Sequence, residues 1–196
     1  MKETISIEPG PAVDGRIIKT AVSPRPIAWI STVDGDGGTN LAPFSSYNYV
    51  SSSPPVLVFH SGDKADGTQK DTARNAVETE EFVVNVVTED VLTQMDKTAD
   101  ELPPEESEFD YADLESVPSE VVTPPRVADS VLSMECTLYD SMRVYDRTVV
   151  LGDVVRFHAA EEILTDGKVD VNKVTTIGRL GGPYYTAGNP LDFEMN

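Results

Sequence analysis

Short apolar runs rich in β-branched residues, separated by turn residues, dominate this chain. Three of them are Arg25–Val33, Val56–His60 and Phe82–Val87. The second follows Pro54 and Pro55, which exclude a helix there because proline interrupts helical hydrogen bonding. The third, FVVNVV, is apolar on both faces, so we predict that it is a central strand of a sheet.

Two longer runs, Ser133–Tyr145 and Thr148–His158, predict a hairpin that turns at Asp146 and Arg147. The pair Asp166-Gly167 indicates another tight turn. Many short strands with few helices predict a mainly β fold, either an antiparallel barrel or a sandwich. The pattern alone does not distinguish a lipocalin-like barrel from an OB-fold or a split barrel.

Three segments predict helices. Asp71–Thr79 is the first, with Asp71 or Thr72 as its N-cap, and Asp90–Ala99 is the second. The third, Glu105–Leu114, is short and acidic. It lies in a proline-rich segment that we interpret as an excursion from the barrel, since no linker divides the chain.

The composition predicts a cytoplasmic protein. No run approaches the roughly 20 apolar residues of a membrane helix, and the first ten residues contain no apolar signal region. The single cysteine, Cys136, cannot form an internal disulfide, which fits a reducing compartment.

The charge is strongly acidic. The chain has 34 Asp and Glu residues against 15 Lys and Arg, a net charge of -19. Nucleic acid is therefore not expected as a partner, because Lys and Arg provide most of the affinity for phosphate backbones. Carboxylates spread along the whole chain favour a halophilic protein, in which salt screens the repulsion. The alternative is an acidic mesophilic enzyme.

The segment Thr39–Ser46 carries the clearest candidate site. Thr39, Asn40, Ser45 and Ser46 supply polar groups, and Leu41, Ala42 and Pro43 supply a small apolar surface. This combination suits a flat, phosphorylated ligand, which needs both kinds of contact. The alternative is an ordinary polar loop after a hairpin.

Two other segments add candidate ligand-binding groups. Lys70, Thr72 and Asn75 lie near a predicted helix N-terminus, where free N–H groups favour phosphate. Arg179 and Tyr184 lie in GRLGGPYY, where adjacent glycines allow close approach of the backbone to a ligand. The alternatives are plain helix capping for the first segment and a turn covering a barrel end for the second.

Other chemistry finds no support in the sequence. Two distant histidines, His60 and His158, make a zinc site improbable, and no Ser-His-Asp triad or P-loop can be assembled. The glycines of Gly35–Gly38 form a hairpin turn, not a dinucleotide-binding motif. We therefore assign no catalytic side chain and no metal.

These segments occur together in an order and approximate spacing that resemble the flavin reductase-like family: PRPIAWISTVD, GGTNLAPFSSY, SSSPPVLVFH, KDTARN, EFVVNVV and GRLGGPYY. The resemblance extends from about Ile18 to Tyr185, and NLAPFSSY and KDTARN are its most specific parts. It implies an FMN-binding split β-barrel, one domain over residues 1–196 with a core of about 18–185, and a homodimer.

The resemblance also implies which residues bind the cofactor. An FMN phosphate would be held by Ser45 or Ser46, together with Lys70 and Thr72. The full set of predicted FMN-binding residues is Thr32, Thr39, Asn40, Leu41, Ala42, Pro43, Ser45, Ser46, Lys70, Thr72, Asn75, Arg179 and Tyr184.

The edge of the isoalloxazine ring would face the backbone of Thr32 and of Asn40–Ala42. Two features depart from the family pattern. His60 stands where small or hydroxyl residues are common, and the segment Glu105–Asp113 is richer in carboxylates than the pattern requires.

The predicted function is an FMN-dependent oxidoreductase that passes hydride from C4 of NAD(P)H to N5 of the flavin. The flavin does the chemistry, which agrees with the absence of a catalytic constellation. One alternative is an FMN-binding electron-transfer protein, for example ferric reductase-like, with no NAD(P)H site of its own. Another is a structural or partner-binding barrel without a cofactor.

Overall fold

A seven-stranded antiparallel sheet forms the centre of the molecule. The computed structural model describes residues 2–10, 14–103 and 106–191. The strand order of the sheet is β3-β2-β6-β9-β10-β5-β4. Its strands are β2 Ala28–Val33, β3 Thr39–Phe44, β4 Tyr47–Ser52, β5 Pro55–Gly62, β6 Glu81–Val86, β9 Leu132–Val144 and β10 Arg147–Ala159.

The two edges of this sheet are joined by two residues only. β3 and β4 stand at opposite ends of the strand order, yet Ser45 and Ser46 alone connect them. Three Cα–Cα steps of about 3.8 Å span at most about 11 Å. The sheet therefore curls until the end of β3 lies close to the start of β4, which makes it a barrel and confirms the predicted mainly β barrel.

Smaller sheets and short helices surround the barrel. One sheet contains β1 Arg25–Pro26, β13 Ile177–Arg179 and β14 Tyr185–Ala187; two strand pairs are β7 Ser116–Val117 with β8 Arg126–Val127, and β11 Leu164–Thr165 with β12 Lys168–Val169. The helices are α1 Asp14–Ala21, α2 Asp71–Glu78, α3 Leu92–Lys97 and α4 Glu108–Tyr111, with 3-10 turns at Glu89–Val91 and Glu161–Ile163.

Strand β2 is buried on both faces, as its apolar sequence predicts. Ala28 and Ile30 pack in the barrel interior with Phe59 and Phe82. Trp29, on the opposite face, is fully buried in a second cluster under α3 and α4, and its Nε1 donates to Thr98 Oγ1 at 2.9 Å.

The barrel interior is closely packed where β10 passes β6. A Cβ added to Gly152 would lie 2.3 Å from Cζ of Phe82. The register between β9 and β10 also shifts at Gly152, so this glycine allows a local bulge under the aromatic ring. Cys136 is fully buried at the same place.

Several predicted boundaries are wrong. Lys70 is the N-cap of α2, without a side-chain cap, whereas Asp71 is the first helical residue. Asp71 pairs with Lys64 at 2.9 Å and Arg74 at 2.7 Å, so its carboxylate is used in ion pairs. The β9–β10 hairpin turns at Tyr145 and Asp146, because Val144 pairs with Arg147.

The predicted acidic helix is shorter than expected. Residue 105 lies outside the described residues, and α4 begins at Glu108, after an N-cap at Ser107 whose hydroxyl accepts from the Phe109 amide. The second predicted helix divides into a 3-10 turn and α3, which ends at Lys97. Helix α1 and strand β4 were not predicted. Among the described residues, no helix is both long and apolar enough to cross a membrane.

Candidate functional site

Three cavities meet at Pro43, beside the connection that closes the barrel. We call them the basic cavity, of about 620 Å³, the C-terminal cavity, of about 520 Å³, and the acidic cavity, of about 240 Å³. Ser45 lines the first two, and Lys70 lines the first and the third. The two most specific motifs in the sequence thus converge at one place.

The basic cavity is defined by its charges. Four cationic residues line it, and its described lining contains no carboxylate: Lys19, Arg25, Lys70 and Arg147. Its apolar surface comes from Ile18, Val22, Pro43 and Phe44. In a chain of net charge -19 this grouping makes the lining locally cationic, although Arg147 Nε lies 3.9 Å from Asp146 Oδ1 and Lys70 also borders the acidic cavity.

The guanidinium of Arg25 donates its hydrogen bonds to backbone carbonyls in the walls of this cavity and of the C-terminal cavity. It donates to the carbonyl of Lys19, to that of Val22 at 2.8 Å and to that of Leu180 at 2.9 Å. These bonds tie the C-terminal end of α1 to the segment after β13. Arg25 therefore holds one wall of the basic cavity and one wall of the C-terminal cavity together.

The two predicted serines have different roles. The Ser46 hydroxyl donates to the carbonyl of His60 at 2.5 Å, and the Ser46 carbonyl accepts from the His60 amide at 3.0 Å. Ser46 is thereby fixed to β5. Ser45 makes no side-chain hydrogen bond with any described residue, and it lines both the basic and the C-terminal cavity.

A buried polar network holds helix α2 against the barrel. Asn40 Nδ2 donates to Thr72 Oγ1 at 2.8 Å and to Thr32 Oγ1 at 3.2 Å, and Asn75 Nδ2 donates to Thr32 Oγ1 at 3.3 Å. Thr32 and Asn75 are buried and line none of the three cavities. Their bonds fix the first turn of α2, which places Lys70 and Thr72 at the cavities.

The acidic cavity lies on the other side of Lys70. Its carboxylates are Asp71, Asp100, Glu101 and Glu108. Glu108 Oε2 accepts the backbone N–H of Leu41 at 3.1 Å, and the hydroxyls of Thr39 and Ser107 are 3.0 Å apart. The Leu41 amide, which was predicted to face a ligand, is thus already bonded to a carboxylate, and the Leu41 side chain is fully buried.

The C-terminal cavity has an aromatic and cationic wall. Cζ of Arg179 lies 4.3 Å from the centroid of the Tyr185 ring, and the Tyr185 hydroxyl donates to Asp96 Oδ1 at 3.0 Å. Arg179 and Tyr185 line this cavity together with Lys19, whereas Tyr184 lines none of the three and is 68% exposed.

Sequence reasoning missed Lys19 and Arg147 as site residues. Their signal lies in the composition, since basic residues are scarce in this chain. Six of its fifteen Lys and Arg residues line the three cavities: Lys19, Arg25, Lys64, Lys70, Arg147 and Arg179. Among the described residues, no group of His, Cys, Asp and Glu is arranged to hold a metal ion.

Comparison with known proteins gives consistent matches. The model of the family described as "Flavin reductase like domain" matches residues 21–174. An uncharacterized protein of Aquifex aeolicus is 42% identical over 171 residues, which cover 87% of each chain.

Two solved structures are similar over nearly their whole length. Nitrilotriacetate monooxygenase component B from Bacillus cereus is 33% identical, with a TM-score of 0.92 and full coverage of both chains. The 2-nitrobenzoate 2-nitroreductase of Pseudomonas fluorescens is 29% identical, with a TM-score of 0.88, over 99% of this chain and 96% of that one.

The bond between Glu108 and Leu41 generates a pH-dependent prediction. Burial raises the pKa of Glu108 above its ordinary value of 4.5, and Asp71 adds to the rise. The stability that this carboxyl contributes is full below pH 4.5 and is lost as the pH rises through its folded-state pKa. We expect Glu108→Gln to gain stability relative to the unsubstituted protein over that range, by less than about 1 kcal/mol at a half-buried position.

Urea unfolding in molar KCl from pH 4 to 7 measures this difference. Glu106→Gln is the matched control, because Glu106 is exposed on the same segment. A difference between Glu108→Gln and the unsubstituted protein that does not change with pH would contradict the prediction.

Proposed function

The chain belongs to the flavin reductase-like family, and from that premise we propose that it binds FMN and transfers hydride from NAD(P)H to the bound flavin. The observation that carries the proposal is the basic cavity, whose four cations have no facing carboxylate in its described lining. A dianionic phosphate fits that lining, and the cavity lies beside a small apolar surface at Ala42 and Pro43 against which a flat ring can pack.

The residues present fit the phosphate of FMN. Lys19 and Lys70 have cationic side chains on the basic cavity without an ion pair among the described residues, and the Ser45 hydroxyl makes no hydrogen bond with a described residue, so these three are available to phosphate oxygens. Arg147 adds a fourth positive charge, at 3.9 Å from Asp146. The network at Thr32 acts indirectly, by holding the helix that follows Lys70.

Bound FMN would supply the hydride acceptor of the reaction. The chain would contribute binding and orientation. The C-terminal cavity shares Pro43 and Ser45 with the basic cavity and contributes Arg179, so it is the place where we propose that the phosphorylated nicotinamide cofactor lies. No side chain needs to donate or accept a proton for hydride transfer itself.

In molar KCl we expect FMN to bind at micromolar affinity or better, and Lys70→Ala to weaken that binding about tenfold, as expected for loss of a charged hydrogen bond. Absorption titration measures both affinities. Lys168→Ala, on exposed strand β12, is the control and should bind FMN as the unsubstituted protein does.

Anaerobic addition of NADH or NADPH to the same sample tests the reaction. Bleaching of the bound flavin faster than that of free FMN supports the reductase. Binding without bleaching supports the electron-transfer flavoprotein instead. A folded protein that binds no FMN in molar salt contradicts both and favours a barrel without a cofactor.

We further propose that the protein is adapted to high salt. At a net charge of -19, repulsion between carboxylates destabilises the folded state at low ionic strength, and salt screens it within about 10 Å at 0.1 M. We expect the thermal unfolding midpoint to rise continuously from low to molar KCl. A midpoint that is independent of KCl concentration would contradict salt adaptation and favour an acidic mesophilic protein.

We also propose that the protein is a homodimer. Large apolar side chains are exposed on strands β4, β9 and β10, at Tyr49, Tyr139, Met142 and Phe157. Burying such groups between two copies would remove apolar surface from water. We expect sedimentation in molar KCl to give twice the 21.3 kDa of one chain, and Phe157→Glu to shift the mass toward that of the monomer. A single-chain mass at micromolar concentration would contradict the dimer.

A further inference from the structure

His60 lies on the wall of the basic cavity. In β5 the residues Leu57, Phe59 and Ser61 are buried, so the alternation of the strand turns His60 toward the opposite face. There it lines the cavity with Lys70 and Arg147. Its backbone is held on both sides by Ser46, which fixes the position of the ring along the strand.

The imidazole has an unused hydrogen-bonding group. Nδ1 of His60 is buried and has no hydrogen-bond partner among the described residues. Because Nδ1 has almost no accessible surface, a ligand in the cavity would meet the other ring nitrogen, Nε2, which makes no hydrogen bond with a described residue. The flavin phosphate is the ligand that the proposed function would bring to this cavity.

The charges around His60 keep the ring neutral in the absence of an anion. Burial lowers the pKa of His60 below its ordinary 6.5, and Arg147 lowers it further. The other charged groups of the cavity act in the same sense: Lys19 from α1, Arg25 from β1 and Lys70 before α2, with no carboxylate in the described lining. A dianion in the cavity would reverse this effect, because its attraction for the imidazolium opposes the repulsion by the cations.

We propose that His60 is a phosphate-recognition residue, which takes up one proton from solvent when the phosphate of FMN binds in the basic cavity and then donates a hydrogen bond to it. The inference rests on the proposed binding of FMN. It makes the phosphomonoester, and not the flavin ring, the group that His60 recognises.

The proton uptake has a definite sign. FMN affinity rises as the pH falls from above the pKa of His60 in the complex to below that in the free protein. The second ionisation of a phosphomonoester, near pH 6, acts in the opposite direction, because the monoanion binds cations less strongly. The two effects are separable, since only the first disappears when the histidine is replaced.

The two histidines of the chain allow a direct test by proton NMR. His158 contacts the buried carboxylate of Glu135 at 2.5 Å, outside the basic cavity, and serves as the internal reference. We expect saturating FMN to raise the pKa of His60 by about one pH unit. Riboflavin, which lacks the phosphate, should leave it unchanged, and His158 should not respond to either flavin.

The variant His60→Asn assigns the resonance and supplies a second readout. It should weaken FMN binding by at most about tenfold, the limit set by a shift of one pH unit and approached only below the pKa of His60 in the free protein, and abolish the proton uptake that depends on His60, measured by calorimetry in two buffers. Its affinity for riboflavin should not change. The fold of the variant is checked by its unfolding midpoint.

The outcomes separate this inference from the proposed function. FMN binding with an unchanged pKa of His60, or an equal shift with riboflavin, overturns the role of His60 and leaves the flavin proposal intact. Failure of FMN to bind to the folded protein overturns both.

Discussion

The two-residue connection between β3 and β4 is the constraint on which the rest of the structure depends. Ser45 and Ser46 join the two outermost strands of a seven-stranded sheet. The sheet must therefore curl until the end of β3 lies next to the start of β4. Ser46 extends the pairing of β4 with β5 by two hydrogen bonds to His60, which fixes the start of β4 to the sheet. Ser45 of this connection also lines two of the cavities. The connection that closes the barrel is therefore also part of the candidate site.

Charge segregation is the second organising feature. An acidic chain that binds an anion must keep its carboxylates away from the binding cations. Here Asp71 is held by Lys64 and Arg74, and Glu108 is bonded to a backbone amide, so both carboxylates are engaged outside the basic cavity. Lys70, which the structure leaves without an ion pair among the described residues, lies between the acidic and basic cavities. Lys70 is therefore a cation whose charge is not neutralised by an ion pair within the described part of a protein of net charge -19.

The sequence allowed the buried strands to be predicted well, because their apolar patterns are strong, as in β2 and β6. The segment Thr39–Ser46 was less clear, since its Asn, Pro and Ser residues are typical of loops. It contains an edge strand, and Pro43 is tolerated there because an edge strand has one unpaired side, where a missing N–H costs no ladder bond. Helix α1 was not predicted because it spans only eight residues, too few to establish a helical period from its two adjacent isoleucines, Ile17 and Ile18.

In the candidate site too, residues placed by a local sequence motif could be predicted, whereas residues brought together only by the folded barrel could not. The positions of Lys70 and Thr72 beside the cavities follow from a local motif at a helix N-terminus, although Thr72, predicted to hold the phosphate with Lys70, lines the acidic cavity and not the basic one. Lys19 and Arg147 could not be predicted, since they come from segments more than a hundred residues apart that only barrel closure brings together. The acidic excursion is explained in the same way: Glu108 occupies the Leu41 amide on the open edge of β3, and α4 covers that edge. An uncovered edge would invite pairing with another strand, so these carboxylates protect the barrel at the place where it could most easily be extended.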